Sequence, residues 1–282
     1  MTVFGKSIKL FLLDGTPNGR WICEMSNWTG KAYKIPRTAV KECVDRKELC
    51  SSGIYFLFGT DDDTGLPLVY VGESELIFER LKAHLDGKDF WTEVIVFISK
   101  DDNLNKAHIK YLENRFHDIA TQAGRYTVKN SNIPTKSSLS EADTAEMEEF
   151  IHNARIVINT LGHKVFEPIA QVAEGLTQHE NLFSIQNSKG VLAKGQVVPD
   201  GFVVLKGSTI SPNVSHNSVS PGVIRAREKY ISNGKVVDWA LQEDILFSSS
   251  SAAADFVLGN SVSGPKTWKN KDGKTLKEVE EG

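Results

Sequence analysis

The chain has 282 residues, of which 40% are hydrophobic, and a net charge of −3, enough apolar material for a buried core and more than one domain. No apolar run approaches the ~18 residues that cross a bilayer, and the early run IKLFLL is too short for a secretory core, so no membrane partner is expected. Cys23, Cys43 and Cys50 are odd in number and lack CxxC spacing, which argues against a disulfide framework or zinc site and for a reduced, intracellular (cytoplasmic) protein.

In chain order, residues 7–13 and 20–25 alternate apolar and polar around a DGTPNG turn and predict an N-terminal hairpin. The extended piece KAYKIPR and a short helix near 38–49 complete an extension over residues 1–50. GIYFLFG and LVYVG are predicted antiparallel strands joined by the turn TDDDTGLP. Ser74 is the expected N-cap of a helix over ELIFERLKAHLDG, with Ile77, Leu81 and Leu85 on its core face. FWTEVIVFIS is a third strand, and LNKAHIKYLENRFHDIATQAG a longer helix closed by Gly124. The order β-β-α-β-α makes residues 51–135 a compact α+β unit. Ser140 with Asp143 starts another helix, whose Met147, Phe150, Ile151, Ala154 and Ile158 recur at helical spacing as core. With its connector it fills 136–182. Residues 183–282 read as a second, α/β domain of short strands, helices over PGVIRAREKYIS and SSSSAAADFVLGNS, and a final WKNKDGKTL hairpin.

Charge is unevenly spread. Residues 1–52 carry nine Lys and Arg against five Asp and Glu; 53–135, nine against thirteen; 136–182, three against eight; 183–282, twelve against ten. Basic ends flank an acidic middle, and local patches decide whether a polyanion docks. The same counts also suit an ordinary solvated surface.

Several side chains in the middle segment stand out. Arg80 and His84 are four apart and share a helical face. Arg80 offers a planar fork to phosphate oxygens, and His84 can move a proton near neutrality at its reference pKa of ~6.5. Glu113 falls at the edge of the apolar stripe Ile109, Leu112, Phe116 and Ala120. An unpaired carboxylate there costs several kcal/mol unless a cation compensates, and Mg²⁺ is often held by one or two carboxylates with water and phosphate oxygens. Pairing of Glu113 with Lys110 or Arg115, or a metal pair with His117, are the alternatives. Asp61, Asp62 and Asp63 look like metal ligands at first sight, but Asp in a hairpin turn bonds its own backbone.

GIY at 53–55 and YVG at 70–72, followed by Arg80, His84 and Glu113 in this order, resemble the GIY-YIG nuclease family over roughly residues 51–135. The family comprises metal-dependent phosphodiesterases of restriction, homing, repair and mobile-element proteins. The resemblance implies a DNA endonuclease (hydrolase) whose Glu113 holds Mg²⁺ (or Mn²⁺). Arg80 would grip the scissile phosphate, and Tyr70 would activate or position water while Tyr55 orients. His84 would support proton movement. The family's active-site asparagine falls on Asn130, with Asn132 as competitor. The TDDDTGLP loop is longer than is usual in the family. A catalytically inactive nucleic-acid-binding module and an RNA-directed nuclease are the alternative readings. One active site nicks one strand, so double-strand cleavage would need a homodimer or two visits.

The C-terminal part resembles an uncharacterised domain that often follows GIY-YIG modules, and small domains of restriction and methylation systems thought to sense DNA. Lys266, Lys269, Lys271 and Lys274 interleave with Trp268 and are candidate phosphate contacts, with Trp268 itself read as core. At the other end Lys31, Lys34 and Arg37 surround Tyr33, and a basic arm on DNA rests on their charge alone.

Overall fold

A computed structural model describes residues 4–63, 65–168, 182–188, 190–199, 201–215 and 217–281. The chain divides into two units, residues 1–167 and 168–282. Most of the connector expected over 165–182 lies outside the described residues.

The first unit is built on one seven-stranded sheet. Its strands are β1 (Ile8–Leu12), β2 (Trp21–Met25), β3 (Gly30–Pro36), β4 (Gly53–Thr60), β5 (Pro67–Ser74), β6 (Trp91–Ser99) and β7 (Thr127–Val128), in the order β1-β2-β3-β6-β4-β5-β7. All pairs are antiparallel except β5 with β7. The predicted N-terminal hairpin is present. Its strands continue through β3 onto β6, so they share one sheet with the two tyrosine strands.

Residues 53–58 are buried throughout, because both faces of β4 are covered. Strand alternation sends Ile54, Phe56 and Phe58 to one face, where helices α2 (Lys106–Ala123) and α3 (Glu141–Thr160) pack. Tyr55 and Leu57 go to the other, under α1 (Ile77–Gly87) and two 3₁₀ turns. Those turns, Arg37–Cys43 and Lys47–Cys50, replace the single helix expected near 38–49. They drop Val40, Cys43 and Leu49 into the core.

Two caps follow expectation: Gly124 closes α2 in the left-handed region, and Ser140 accepts the Asp143 N–H at the start of α3. Ser74 does not cap α1. It ends β5 and accepts from the Leu76 N–H, and α1 starts at Ile77 with no side-chain cap. The hairpin partner of Ser74 is Gly53, so the sheet holds its backbone in extended form and delays the helix.

The second unit has an antiparallel sheet of β8 (Leu182–Gln186), β9 (Leu192–Val198), β10 (Gly201–Val204) and, after a small β11–β12 hairpin (Val236–Val237, Ala240–Leu241), β13 (Ile245–Phe247). Helices α4 (Pro221–Ser232), α5 (Ser250–Leu258), α6 (Gly264–Thr267) and α7 (Leu276–Glu281) accompany it. A wholly antiparallel sheet makes this an α+β arrangement rather than the expected α/β one. The final hairpin shrinks to a single bridge, Lys269 with Thr275. Thr275 and Glu278 then exchange backbone N–H bonds as a capping box and start α7 instead. Trp268 is fully buried against Phe202 and donates its indole N–H to the Ser250 carbonyl, as a core residue.

Arg227 on α4 is buried, has no carboxylate partner among the described residues, and donates to the carbonyls of Phe256 and Ser211. The Phe256 carbonyl belongs to the last turn of α5, where orphan acceptors and the helix dipole favour a cation. Arg227→Leu is expected to cost roughly 2–4 kcal/mol, since it strands two buried acceptors. Faster hydrogen exchange of the α4 and α5 amides is the readout, and unchanged protection would show that these bonds contribute nothing. No helix among the described residues is long and apolar enough to cross a membrane.

Candidate active site

Both tyrosines point to one face of the sheet. Tyr55 on β4 stands opposite Gly72 on β5, and Tyr70 stands opposite Leu57. Both side chains therefore project toward α1, with ring centroids 6.3 Å apart. A Cβ on Gly72 would lie 2.3 Å from the Tyr55 ring and phenol oxygen, and one on Gly53 would lie 2.4 Å from the Phe97 carbonyl. The glycines of GIY and YVG are thus places where no side chain fits.

Arg80 and His84 project from α1 onto the phenols. The Tyr55 phenol oxygen lies 2.7 Å from His84 Nε2 and accepts from Arg80 Nε at 3.3 Å. Arg80 donates to this oxygen, while His84 Nε2 either accepts the phenol proton or donates to the remaining lone pair, according to its tautomer. Burial, reinforced by the charges of Arg80 and Lys88, pushes the His84 pKa down to about 4. The sequence suggested a proton carrier near neutrality; burial here favours the neutral ring, which holds the Tyr55 phenol. Tyr55 is fully buried, and burial together with Tyr70 opposes its ionisation beyond what Arg80 offsets. That suits the orienting role expected of it and makes it a poor base. Tyr70 is half-buried.

Glu113 lies on α2, on the opposite side of the sheet. Its stripe, which includes Lys106 and Lys110, faces the β5 edge, where β7 pairs only with Leu68 and Val69. Beyond β7 the side chain of Asn130 continues the pairing: its oxygen accepts the Val71 N–H at 3.0 Å and its amide donates to the Val71 carbonyl at 2.7 Å. Asn130 thus fixes the YVG backbone, whereas Asn132 is exposed.

The Glu113 carboxylate has no hydrogen bond or ion pair among the described residues. Burial and the neighbouring charge of Glu73 raise its pKa to about 7, against the pull of Lys106, Arg80 and Lys110. The pairing with Arg115 considered above does not form, because Arg115 is bound to Glu148 at 2.6 Å. His117 is buried; its Nδ1 has no hydrogen-bond partner among the described residues and lies 3.7 Å from Asp118 Oδ1.

A partly buried, unpartnered carboxylate beside a second one is a fitting donor for a hard divalent cation, which takes oxygen ligands and keeps water. Among the described residues no three His, Cys, Asp or Glu side chains converge to hold a metal, so the offered site is the one-or-two-carboxylate kind.

Two contributors were missed in the sequence. Glu73 directly follows YVG and faces α2, where both its oxygens lie 2.8 Å from Lys106 Nζ. Strand alternation from Tyr70 would have put it on that face. Lys88, the residue after α1, holds its ammonium 4.3 Å from the centre of the Tyr70 ring, and its place four residues after His84 was the available signal. Asp62 and Asp63 lie in the hairpin connection.

The tentative nucleic-acid contacts divide. In the first unit Lys31 pairs with Glu48 and Lys34 with Glu93. Arg37 stacks on Trp91 and donates to the carbonyls of Leu85 and Lys88. All three are engaged internally, and Arg37 braces the end of α1. In the second unit Lys266, Lys269, Lys271 and Lys274 are exposed and form no ion pair among the described residues.

Residues 183–280 match the family model described as a domain of unknown function, DUF4357. No curated protein and no solved structure matches the chain.

Proposed function

We propose that this chain is a divalent-metal-dependent endonuclease of the GIY-YIG type that hydrolyses phosphodiester bonds in DNA. The observation that carries the reading is the way charge is sorted around the two tyrosines. On their own face of the sheet stand two cations, Arg80 and Lys88, with no carboxylate partner among the described residues. Around the β5 edge stands Glu113, a carboxylate with no cation bound to it directly. A phosphodiester needs the first arrangement and a metal ion the second.

In this reading Arg80 is held through Nε by the Tyr55 phenol, leaving its terminal nitrogens to grip the scissile phosphate. His84 fixes Tyr55 and so fixes Arg80 at second hand. Tyr70, the less buried phenol, positions or activates the attacking water. Glu113 would hold Mg²⁺ or Mn²⁺, and the ion would neutralise charge on the phosphate. Asn130 keeps the YVG strand edge in register with Glu113. The exposed lysines near Trp268 would give the second unit a grip on the DNA backbone, supplying attraction that the acidic middle of the chain lacks.

The test is incubation of the full chain with Mg²⁺ or Mn²⁺ and a panel of single- and double-stranded DNA, methylated and unmethylated, alongside RNA. Nicked or cut DNA with 5′-phosphate ends, abolished by chelation, is the expected result. Cleavage of RNA alone would redirect the reading to an RNA nuclease. DNA binding with no cleavage of any substrate would leave only the inactive binding module.

A further inference from the structure

Lys88 is the one residue of the phenol cluster that the motif pattern does not single out, although it falls four residues after His84 and eight after Arg80. Its backbone is fixed at the end of α1: the N–H donates to the His84 carbonyl at 3.2 Å, and its own carbonyl accepts from Arg37. Its side chain turns back over the sheet, placing the ammonium above the face of Tyr70. Tyr70 in turn meets His84 edge-on at 5.5 Å and Tyr55 at 6.3 Å. Arg80 and Lys88 therefore stand on α1 and at its end, two turns apart, both reaching the same pair of phenols.

Asp86 and Asp89 flank Lys88 in sequence, yet it forms no ion pair among the described residues. The comparison within the same helix is Lys82. That ammonium also sits over a ring, Phe78, at 5.0 Å, but it is paired with Glu79 at 2.8 Å. A ring face alone is a weak resting place for an ammonium at a partly exposed site. A phosphate oxygen is a stronger partner, and moving to it requires only side-chain rotation, because the backbone is already held.

We propose that Lys88 is a substrate-contacting residue, a second cation that takes a DNA backbone phosphate on the Tyr70 side of the site while Arg80 takes the scissile one. The inference rests on the nuclease reading above. In the free protein the ammonium is stored on Tyr70; on binding it leaves the ring for the phosphate and opens that face of the phenol.

Equilibrium binding of a labelled DNA duplex in EDTA, where nothing is cut, tests this across a salt series. Each phosphate contact contributes a slope of about −0.9 in log K against log salt. Lys88→Met is expected to weaken binding about three- to tenfold and to flatten the slope by about one contact. Lys88→Arg should keep the slope, and Lys82→Met should match wild type. The Met variant keeps both backbone bonds; should it nonetheless melt early, Lys88→Gln replaces it in the same measurement. Wild-type slope and affinity in the Met and Gln variants would overturn the Lys88 assignment and leave the nuclease reading standing. A wild-type chain that binds no nucleic acid would overturn both.

Discussion

Glu113→Gln is expected to lower DNA cleavage by at least about 10³-fold while making the free protein more stable at pH 8. The two effects have one cause. Losing the carboxylate that holds a catalytic cation removes several kcal/mol of transition-state stabilisation, and about 4 kcal/mol already corresponds to 10³. The same carboxylate is a liability in the free chain, because burial and Glu73 raise its pKa to about 7 from an ordinary 4.5. A carboxyl whose folded pKa is raised favours the folded state fully only while it is protonated in both states. The advantage is lost as pH climbs from about 4.5 to about 7, and stays lost above. Glutamine is neutral throughout. Wild type and variant should therefore unfold alike near pH 5 and diverge by pH 8, by roughly 1–2 kcal/mol once solvent screening of the exposed part of Glu113 is allowed for. Thermal unfolding at the two pH values reads this as a gap of several degrees. Mn²⁺ at pH 8 should raise the melting temperature of wild type and not of Glu113→Gln. A variant less stable than wild type at pH 8 would mean that Glu113 is a structural partner, not an ion ligand.

Gly72→Ala is the second large effect, and it carries the opposite sign from strand propensity. Alanine is ordinarily at least as good as glycine in a strand interior, and the backbone of Gly72 is not in the left-handed region. Here the added methyl would lie 2.3 Å from the Tyr55 ring and its oxygen. The ring cannot yield easily, being fully buried and held at its phenol by His84 and Arg80. The expected cost is roughly 1–3 kcal/mol of overpacking, a drop of about 2–12 °C in melting temperature. Tyr55 would carry Arg80 away with it, and misplacement of about 1 Å is worth some 10²-fold in rate. Binding of DNA in EDTA should suffer less than cleavage, because the long lysine side chains are untouched. A Gly72→Ala protein as stable and active as wild type would show that the close approach does not constrain the site.

The site was legible wherever local periodicity governs. Helical spacing put Arg80 beside His84, whereas the common face of Tyr55 and Tyr70 depended on the register of β4 with β5. The edge position of Glu113 on its apolar stripe marked it as costly. The expectations that failed concern neighbours distant in sequence. Ser74 has the right chemistry for a cap, but Gly53 across the sheet claims its backbone. Lys34 and Arg37 look like free basic residues, yet Glu93 and the end of α1 engage them, some fifty residues along the chain. The start of α7 was misread although its Thr275–Glu278 capping box stands in the sequence, because the preceding DG turn argued for a hairpin.

The sequence by itself determined the order of strands and helices from β4 to α2 and the identity of the groups able to meet a phosphate or a cation. Tertiary structure decided the rest: that the two phenols share one face, that Tyr55 is sealed, that burial favours the neutral form of His84, that Glu113 has no partner among the described residues, and that Lys88 rests on Tyr70. Periodicity is a property of the backbone and can be read locally. Burial and field are sums over neighbours brought together by the fold, and they set where each proton resides and which charge remains free for a ligand.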